Sequence, residues 1–330
     1  MGDVNINLIE IIAMLYFALT DIISLDLIGS GLMESQINDR EFKLIRDYIK
    51  SNYGIHLGEE KKSLIYSRLR SVLVEKGFDN FTQYYEYLVA DKTGQAAITF
   101  IDKMTTNHTF FMREVEHFYY FRDTVLPYLK ENVKDRDLRI WCAGCSSGEE
   151  SYTLEMFLTD YFKDQPGREW NTELLATDIS TKVLTKAMKG VYSNNQIKPL
   201  DENWKKSYFR KYDAENVIVT DEIKNKITYR KFNLMETRMP FRKKFHVIFC
   251  RNVMIYFDNK TREALVKRFY DVSEKGAYLF IGHSESLNNT DTNYKYIMPS
   301  VYRKMWFIIF VVLLSFKDLD YYFLNFKMRL

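Results

Sequence analysis

The stretch LRIWCAGCSSGEE, residues Leu138 to Glu150, decides the fold. An apolar run from Leu138 to Ala143 passes directly into the small residues Gly144, Cys145, Ser146, Ser147 and Gly148. The acidic pair Glu149 and Glu150 then opens a helical pattern that continues to Phe162. A strand, a tight loop of small residues and a helix N-terminus form a nucleotide-sized cradle, because only small side chains let a ligand approach the backbone. The spacing is not GxGxxG, and an acid straight after the loop repels a pyrophosphate. The stretch therefore points away from a dinucleotide and towards a nucleoside without phosphates, one that carries positive charge.

Downstream, short strand-like runs at Glu173 to Thr177, Ile227 to Phe232, Phe245 to Cys250 and Ala277 to Ile281 alternate with helical patterns at Thr181 to Met188 and Thr261 to Ser273. Strands alternating with helices predict an α/β fold with a mainly parallel sheet wound on both faces. A polar interruption between Asn194 and Lys226, with one strand-like run at Asn216 to Val219, reads as an inserted β-subdomain. The second strand ends in Asp178, which is placed either to accept hydrogen bonds from ribose hydroxyls or to cap the helix that begins near Ser180. Arg251 and Asn252 follow the fourth strand, at the same carboxyl edge.

Upstream, Ser35 to Thr99 is helical, with Phe42, Ile45, Tyr48 and Ile49 on one face, Leu64, Ile65, Leu69, Val72 and Leu73 on another, and breakers at Gly54, Gly58 and Gly77. Lys61, Lys62, Arg68 and Arg70 on its second helix are either a solvated face or a surface for an acidic partner helix. The two ends fit poorly with the middle. Leu8 to Ile28 is mostly aliphatic but interrupted by Glu10, Asp21 and Asp26, which predicts an extra helix ended at Gly29 to Gly31 rather than a signal or a span. Met305 to Leu314 is apolar, too short to span, and reads as a membrane-surface anchor, a buried strand or an appended segment.

The whole chain has 330 residues, 47 basic against 44 acidic, and three cysteines. That near-balance argues against a nucleic-acid partner, and an odd, small cysteine count fits a reducing compartment such as the cytoplasm. Cys142 and Cys145 make a CxxC that no second pair completes into a zinc site, and His56, His108, His117, His246 and His283 show no ligand spacing. No metal is expected. The 24 Tyr and 24 Phe read as core and interface.

Five stretches taken together, TTNHTFFMRE, CAGCSSGEE, ATDIS, FCRNVMIYFD and LFIGHSESL, resemble in order and spacing the CheR family of chemotaxis receptor methyltransferases, over about Ser35 to Lys304. The resemblance implies a Rossmann-like S-adenosylmethionine-dependent methyltransferase with a small all-α N-terminal domain. It implies that glutamate side chains on the cytoplasmic helices of methyl-accepting chemotaxis receptors are esterified, with S-adenosylhomocysteine as product. It also implies that Asn107, Thr109, Arg113, Glu149, Asp178, Asn233, Leu234, Arg251 and Asn252 hold the cofactor, and that Arg113 and Tyr256 sit nearest the reacting methyl.

The expected organisation is an apolar extension at 1–33, a receptor-docking domain at 34–105, a methyltransferase domain at 106–304 with its insert at 194–226, and an apolar extension at 305–330. Some family members carry a glycine-containing loop in the insert that grips a receptor C-terminal peptide. The stretch SYFRKYDAENVIVTDEIKNKITYRKF has no glycine, so recognition without that tether is expected. The terminal extensions leave room for weak membrane contact. Two rivals remain: a non-catalytic, cofactor-binding receptor adaptor, and a methyltransferase for another substrate. Base-methylating relatives usually show Pro-Pro before an aromatic, which NVMIYF lacks.

Overall fold

The computed structural model describes residues 36–105, 107–163, 169–287 and 292–305. The expected helix over Leu8 to Ile28 and the apolar block beyond Met305 lie outside the described residues. The described chain divides into two compact units, 36–47 with Gly58–Ala97, and Tyr48–Leu57 with 98–305.

The first unit is helical, built from α1 (Asp39–Tyr53, to Asp47), α2 (Lys62–Lys76), α3 (Phe81–Ala90) and the start of α4 (Gln95–Met104). A reciprocal cap opens α1: Glu41 N donates to Asn38 Oδ1 at 2.9 Å, and Asn38 N donates to Glu41 Oε2 at 3.0 Å. The other Glu41 oxygen accepts from Thr82 N and Oγ1, both at 3.0 Å, so one carboxylate joins the starts of α1 and α3. Gly77 ends α2 at φ 70°, a left-handed stop that glycine adopts without a Cβ penalty. Phe42, Ile45, Ile65, Leu69, Val72, Leu73, Phe81, Tyr84 and Leu88 form its interior.

The second unit carries a seven-stranded sheet. Its strands are β1 (Ile140–Ala143), β2 (Leu174–Asp178), β6 (Ile227–Lys231), β7 (Phe245–Cys250), β8 (Ser273–Ile281), β9 (Tyr294–Met298) and β10 (Val301–Lys304). The order is β6-β2-β1-β7-β8-β10-β9, parallel from β6 to β8, with β10 and β9 antiparallel. β1 and β7 are buried at every residue, as strands covered on both faces must be. The helices α5 (Val115–Tyr120), α6 (Leu126–Asn132), α7 (Glu149–Phe162), α8 (Thr181–Lys189) and α11 (Asn259–Asp271) accompany it. Trp141 packs against Phe232, Phe241, Phe245 and Phe269, and Phe249 stacks on Phe280 at 4.2 Å, so much of the aromatic content is core.

The insert is a second sheet, order β3-β5-β4, from β3 (Val191–Ser193), β4 (Phe209–Lys211) and β5 (Asn216–Val219), with α9 (Glu202–Tyr208) and α10 (Asp221–Lys224). It begins ahead of the expected Asn194. Two of its strands have only three residues, too few to show a period.

Candidate active site

The chain runs from β1 outward through β2 to β6, then returns to β7 on the other side of β1. This reversal opens a crevice at the carboxyl ends of the central strands, where open α/β sheets bind ligands. A cavity of about 350 Å³ lies there, within the second unit. Asn107, Thr109, Arg113, Asp178, Asn233, Leu234, Arg251, Asn252 and Tyr256 all line it.

The cradle loop follows from its residues. Gly144 has φ 86°, and a Cβ there would sit 2.4 Å from Val253 Cγ2, so only glycine lets the loop close on the turn after β7. Four of its five amides are spent inside the protein: Gly144 N and Cys145 N donate to Thr177 O at 2.8 and 2.9 Å, Ser146 N to Asp178 Oδ2 at 2.9 Å, and Gly148 N to Cys145 O at 3.1 Å. A phosphate would need those donors. The acids Asp102, Glu150 and Asp178 line the cavity instead, so the donor set suits a cationic nucleoside such as S-adenosylmethionine. Asp178 also accepts from Ser180 N at 3.0 Å; burial pushes its carboxyl up, against the lowering by the Ser180, Ser146 and Ile179 amides. The capping role belongs to Ser180, whose Oγ accepts from Val183 N.

Glu149 does not line the cavity. It is buried behind the loop, accepting from Ser147 Oγ at 2.7 Å and Gln196 Nε2 at 3.5 Å, with its carboxyl raised by burial. One residue further along α7 the direction turns by roughly 100°, and Glu150 faces the cavity. There it accepts from Arg251 Nη1 at 2.8 Å. Arg251, its side chain 1% exposed, also donates to Glu114 Oε2 from Nε and Nη2 at 3.3 and 3.1 Å, and to the Arg113 carbonyl. Its guanidinium is thus occupied by protein partners, and it shapes the wall as a brace between segments. Burial pushes the Glu114 carboxyl up, but the Arg251 charge, the His283 amide and the Asn252 side chain together outweigh this and hold it below its ordinary value.

The turn around Arg113 is tight. Met112 and Glu114 have φ 62° and 54°, left-handed values for non-glycine residues, which cluster where backbone is held for function. Arg113 Nη1 donates to the His108 carbonyl at 2.8 Å, and Arg113 appears in no ion pair among the described residues. Tyr256 sits on a 3-10 turn, Met254–Tyr256, whose carbonyl accepts from His56 N at 2.8 Å.

Sequence reasoning missed several contributors. Tyr53, Ile55, Ile101, Asp102 and Thr105 line the cavity, although they lie in the stretch read as a docking domain. Gly54, φ 72°, would place a Cβ 2.3 Å from Met235 Sδ, so this segment packs closely within the sheet unit. Glycine breakers marked the helix end but not that approach.

Glu114, His117 and His283 also come together, their ligand atoms within 4.8 Å, a grouping invisible in sequence spacing. The Arg251 charge on the Glu114 carboxylate opposes a cation there. Burial, reinforced by Arg251, lowers His117 to about 4, so it is neutral. Cys142 and Cys145 are free and fully buried, their thiols pushed well up by burial.

In the first unit Lys61 is exposed and Lys62 pairs with Asp39 at 2.5 Å. Arg68 and Arg70, two apart on α2, point roughly 200° apart. They flank the buried Ile65, Leu69 and Leu73 stripe from opposite sides and share no single face. Among the described residues no helix is long and apolar enough to cross a membrane.

Residues 107–302 match the family model described as the CheR methyltransferase, SAM binding domain, and residues 40–105 match the CheR methyltransferase all-alpha domain. The chain is 42% identical to the chemotaxis protein methyltransferase of Borreliella burgdorferi over 81% of its own length and 95% of the relative's. It is 35% identical to that of Salmonella typhimurium, over 77% and 86% of the two chains. Against that of Escherichia coli the identity is 32%, over 81% and 91%.

Proposed function

This chain belongs to the family of CheR methyltransferases, and from that premise we propose that it esterifies glutamate side chains of chemotaxis receptors. The observation that carries this reading is one cavity, at the sheet's switch point, lined by Arg113 and Tyr256 together with Asp102, Glu150 and Asp178. When bound, S-adenosylmethionine supplies a methyl group on a sulfonium. A glutamate is already ionised near neutral pH, so no general base is required. Charge disappears on the way to the transition state, and the protein's task is alignment and exclusion of water.

Arg113 holds the incoming carboxylate by a charge-assisted bond, and Tyr256 orients it without adding charge. Asn107, Thr109, Asp178, Asn233, Leu234 and Asn252 hold the nucleoside and its amino-acid tail. Arg251 keeps this wall in register through Glu114 and Glu150. Glu150 takes the cavity-facing part expected of Glu149, because the latter is sealed behind the loop by Ser147 and Gln196. Making the ester removes one negative charge from the receptor, a local electrostatic change that biases signalling.

Lys61, Lys62, Arg68 and Arg70 supply basic charge for an acidic receptor helix, which meets Arg68 and Arg70 unequally because they leave α2 on different sides. Recognition proceeds without a peptide tether: the β4 to β5 turn is closed on Asp213, which accepts from Glu215 N and Asn216 N, both at 2.8 Å. The enzyme works in the cytoplasm, with any membrane contact confined to its terminal extensions.

The test is incubation of the full chain with methyl-labelled S-adenosylmethionine and receptor cytoplasmic fragments. Label released by mild alkali supports a carboxyl ester. Alkali-stable label refutes the glutamate reading, and cofactor binding without incorporation favours an adaptor.

A further inference from the structure

Glu285 is 5% exposed and no sequence motif assigned it a task. Its carboxylate reaches back across two turns. Oε2 accepts from Gly282 N at 2.6 Å and from Asn252 N at 3.0 Å, while Oε1 accepts from Ile255 N at 3.1 Å. The Met254 amide adds to this set, and together these donors oppose the rise that burial imposes on the carboxyl. A buried carboxylate is costly unless its lone pairs are filled, and here backbone amides fill them.

All but one of these amides belong to the turn after β7. That turn starts at Asn252, in a left-handed conformation at φ 59°, and ends at Tyr256. Asn252, Ile255 and Tyr256 all line the cavity. Gly282 lies so close that a Cβ there would meet Asn252 Nδ2 at 2.4 Å and Asn252 N at 2.8 Å. The turns after β7 and β8 are therefore pressed together, and the Glu285 carboxylate joins them.

We infer that Glu285 is a positioning residue for methyl transfer, its carboxylate setting the Asn252–Tyr256 turn through backbone amides and thereby aiming Tyr256 at the reacting centre. The inference rests on the role proposed for Tyr256, and it makes an asymmetric prediction. Glutamine at 285 keeps one acceptor oxygen. Facing the Gly282 and Asn252 amides, that oxygen preserves the cofactor end of the turn, while the new NH2 confronts Ile255 N and loosens the Tyr256 end. Misplacement by about 1 Å costs about 100-fold in rate, so a partial shift corresponds to a loss of about tenfold.

Glu285→Gln is expected to bind S-adenosylhomocysteine within about twofold of wild type by calorimetry, and to lose about tenfold in kcat. Glu285→Ala is expected to lose both. In a double-mutant cycle the Glu285→Gln loss is expected to shrink in the Tyr256→Phe background, because the two act through one group. Should the alanine variant fail to fold, the glutamine variant and the cycle decide alone. Equal losses of affinity and kcat in Glu285→Gln, or full additivity with Tyr256→Phe, would overturn the inference.

A readout without turnover separates this inference from the reaction itself. With 3-fluorotyrosine at position 256, the 19F resonance of the full chain is expected to shift or broaden on Glu285→Gln. An unchanged resonance overturns the positioning role whatever reaction the enzyme performs. Absence of methyl transfer by the wild type, with the resonance responding, would instead refute the glutamate reading alone.

Discussion

Replacing Arg251 by methionine tests the charge arrangement that holds the cavity wall. The guanidinium is 1% exposed and faces Glu114 and Glu150, whose side chains are 12% and 15% exposed. Removing one partner of a buried pair costs about 3–5 kcal/mol, because the remaining charge stays desolvated. Glu114 keeps the Asn252 Nδ2 donor at 3.2 Å, and neither acid is fully enclosed, so the loss is set at about 3 kcal/mol, the lower end of that range.

The pH dependence has a definite sign. In the wild type Glu114 lies below its ordinary value. Its contribution to stability is therefore present above the unfolded pKa, near 4.3 as a rough reference, and is lost only as pH falls through the lower folded pKa. Between pH 8 and 5.5 the wild type should change little on this account. In Arg251→Met the leading opposition to burial is gone, and the folded pKa is expected to rise above the unfolded one. The folded state then takes up a proton first, and the cost of the substitution falls as pH falls.

Urea unfolding of the cofactor-free protein measures this. Trp141, Trp170 and Trp204 place tryptophan fluorescence in the second unit. The expected stability gap is about 3 kcal/mol at pH 8, narrowing by about 1 kcal/mol at pH 5.5. A gap below about 1 kcal/mol at pH 8, or one that is constant or wider at pH 5.5, refutes the reasoning.

Three further outcomes are expected. Asp178→Ala should weaken S-adenosylhomocysteine binding at least about tenfold by calorimetry, a loss of about 1.4 kcal/mol, since the Ser146 and Ser180 amides lose their acceptor; unchanged affinity would remove Asp178 from the site. Arg113→Ala should lower kcat by about 100-fold or more while cofactor affinity stays within about twofold, with single-turnover kinetics as the check. Arg68→Glu and Arg70→Glu, made singly, should weaken receptor-fragment binding unequally because the two side chains leave α2 in different directions; equal losses would mean a partner that wraps the helix.

What the sequence alone determined was local. The strand, small-residue loop and helix at Leu138 to Glu150 are contiguous, so their order states the cradle. The alternation of strands and helices then predicts a parallel sheet whose carboxyl edge gathers Asp178, Arg251 and Asn252. The five stretches were sufficient to identify the family, and the glycines at 54 and 77 marked helix ends because a missing Cβ acts within one turn, whereas Gly58 ends no helix and instead precedes the 3-10 turn Glu59–Lys61.

The tertiary structure decided what depends on direction and distance. Which acid of Glu149 and Glu150 faces the cavity turns on a single residue's rotation about α7, which no composition records. The Arg251 brace joins Glu114 to Glu150 across separations of 137 and 101 residues, and the Glu285 carboxylate bonds Asn252 from 33 residues away. Tyr53 and Ile55 reach the cavity because Gly54 lets their segment press against Met235. Periodicity reports which face of an element is buried. It does not report which distant groups meet there, and the catalytic geometry depends on those meetings.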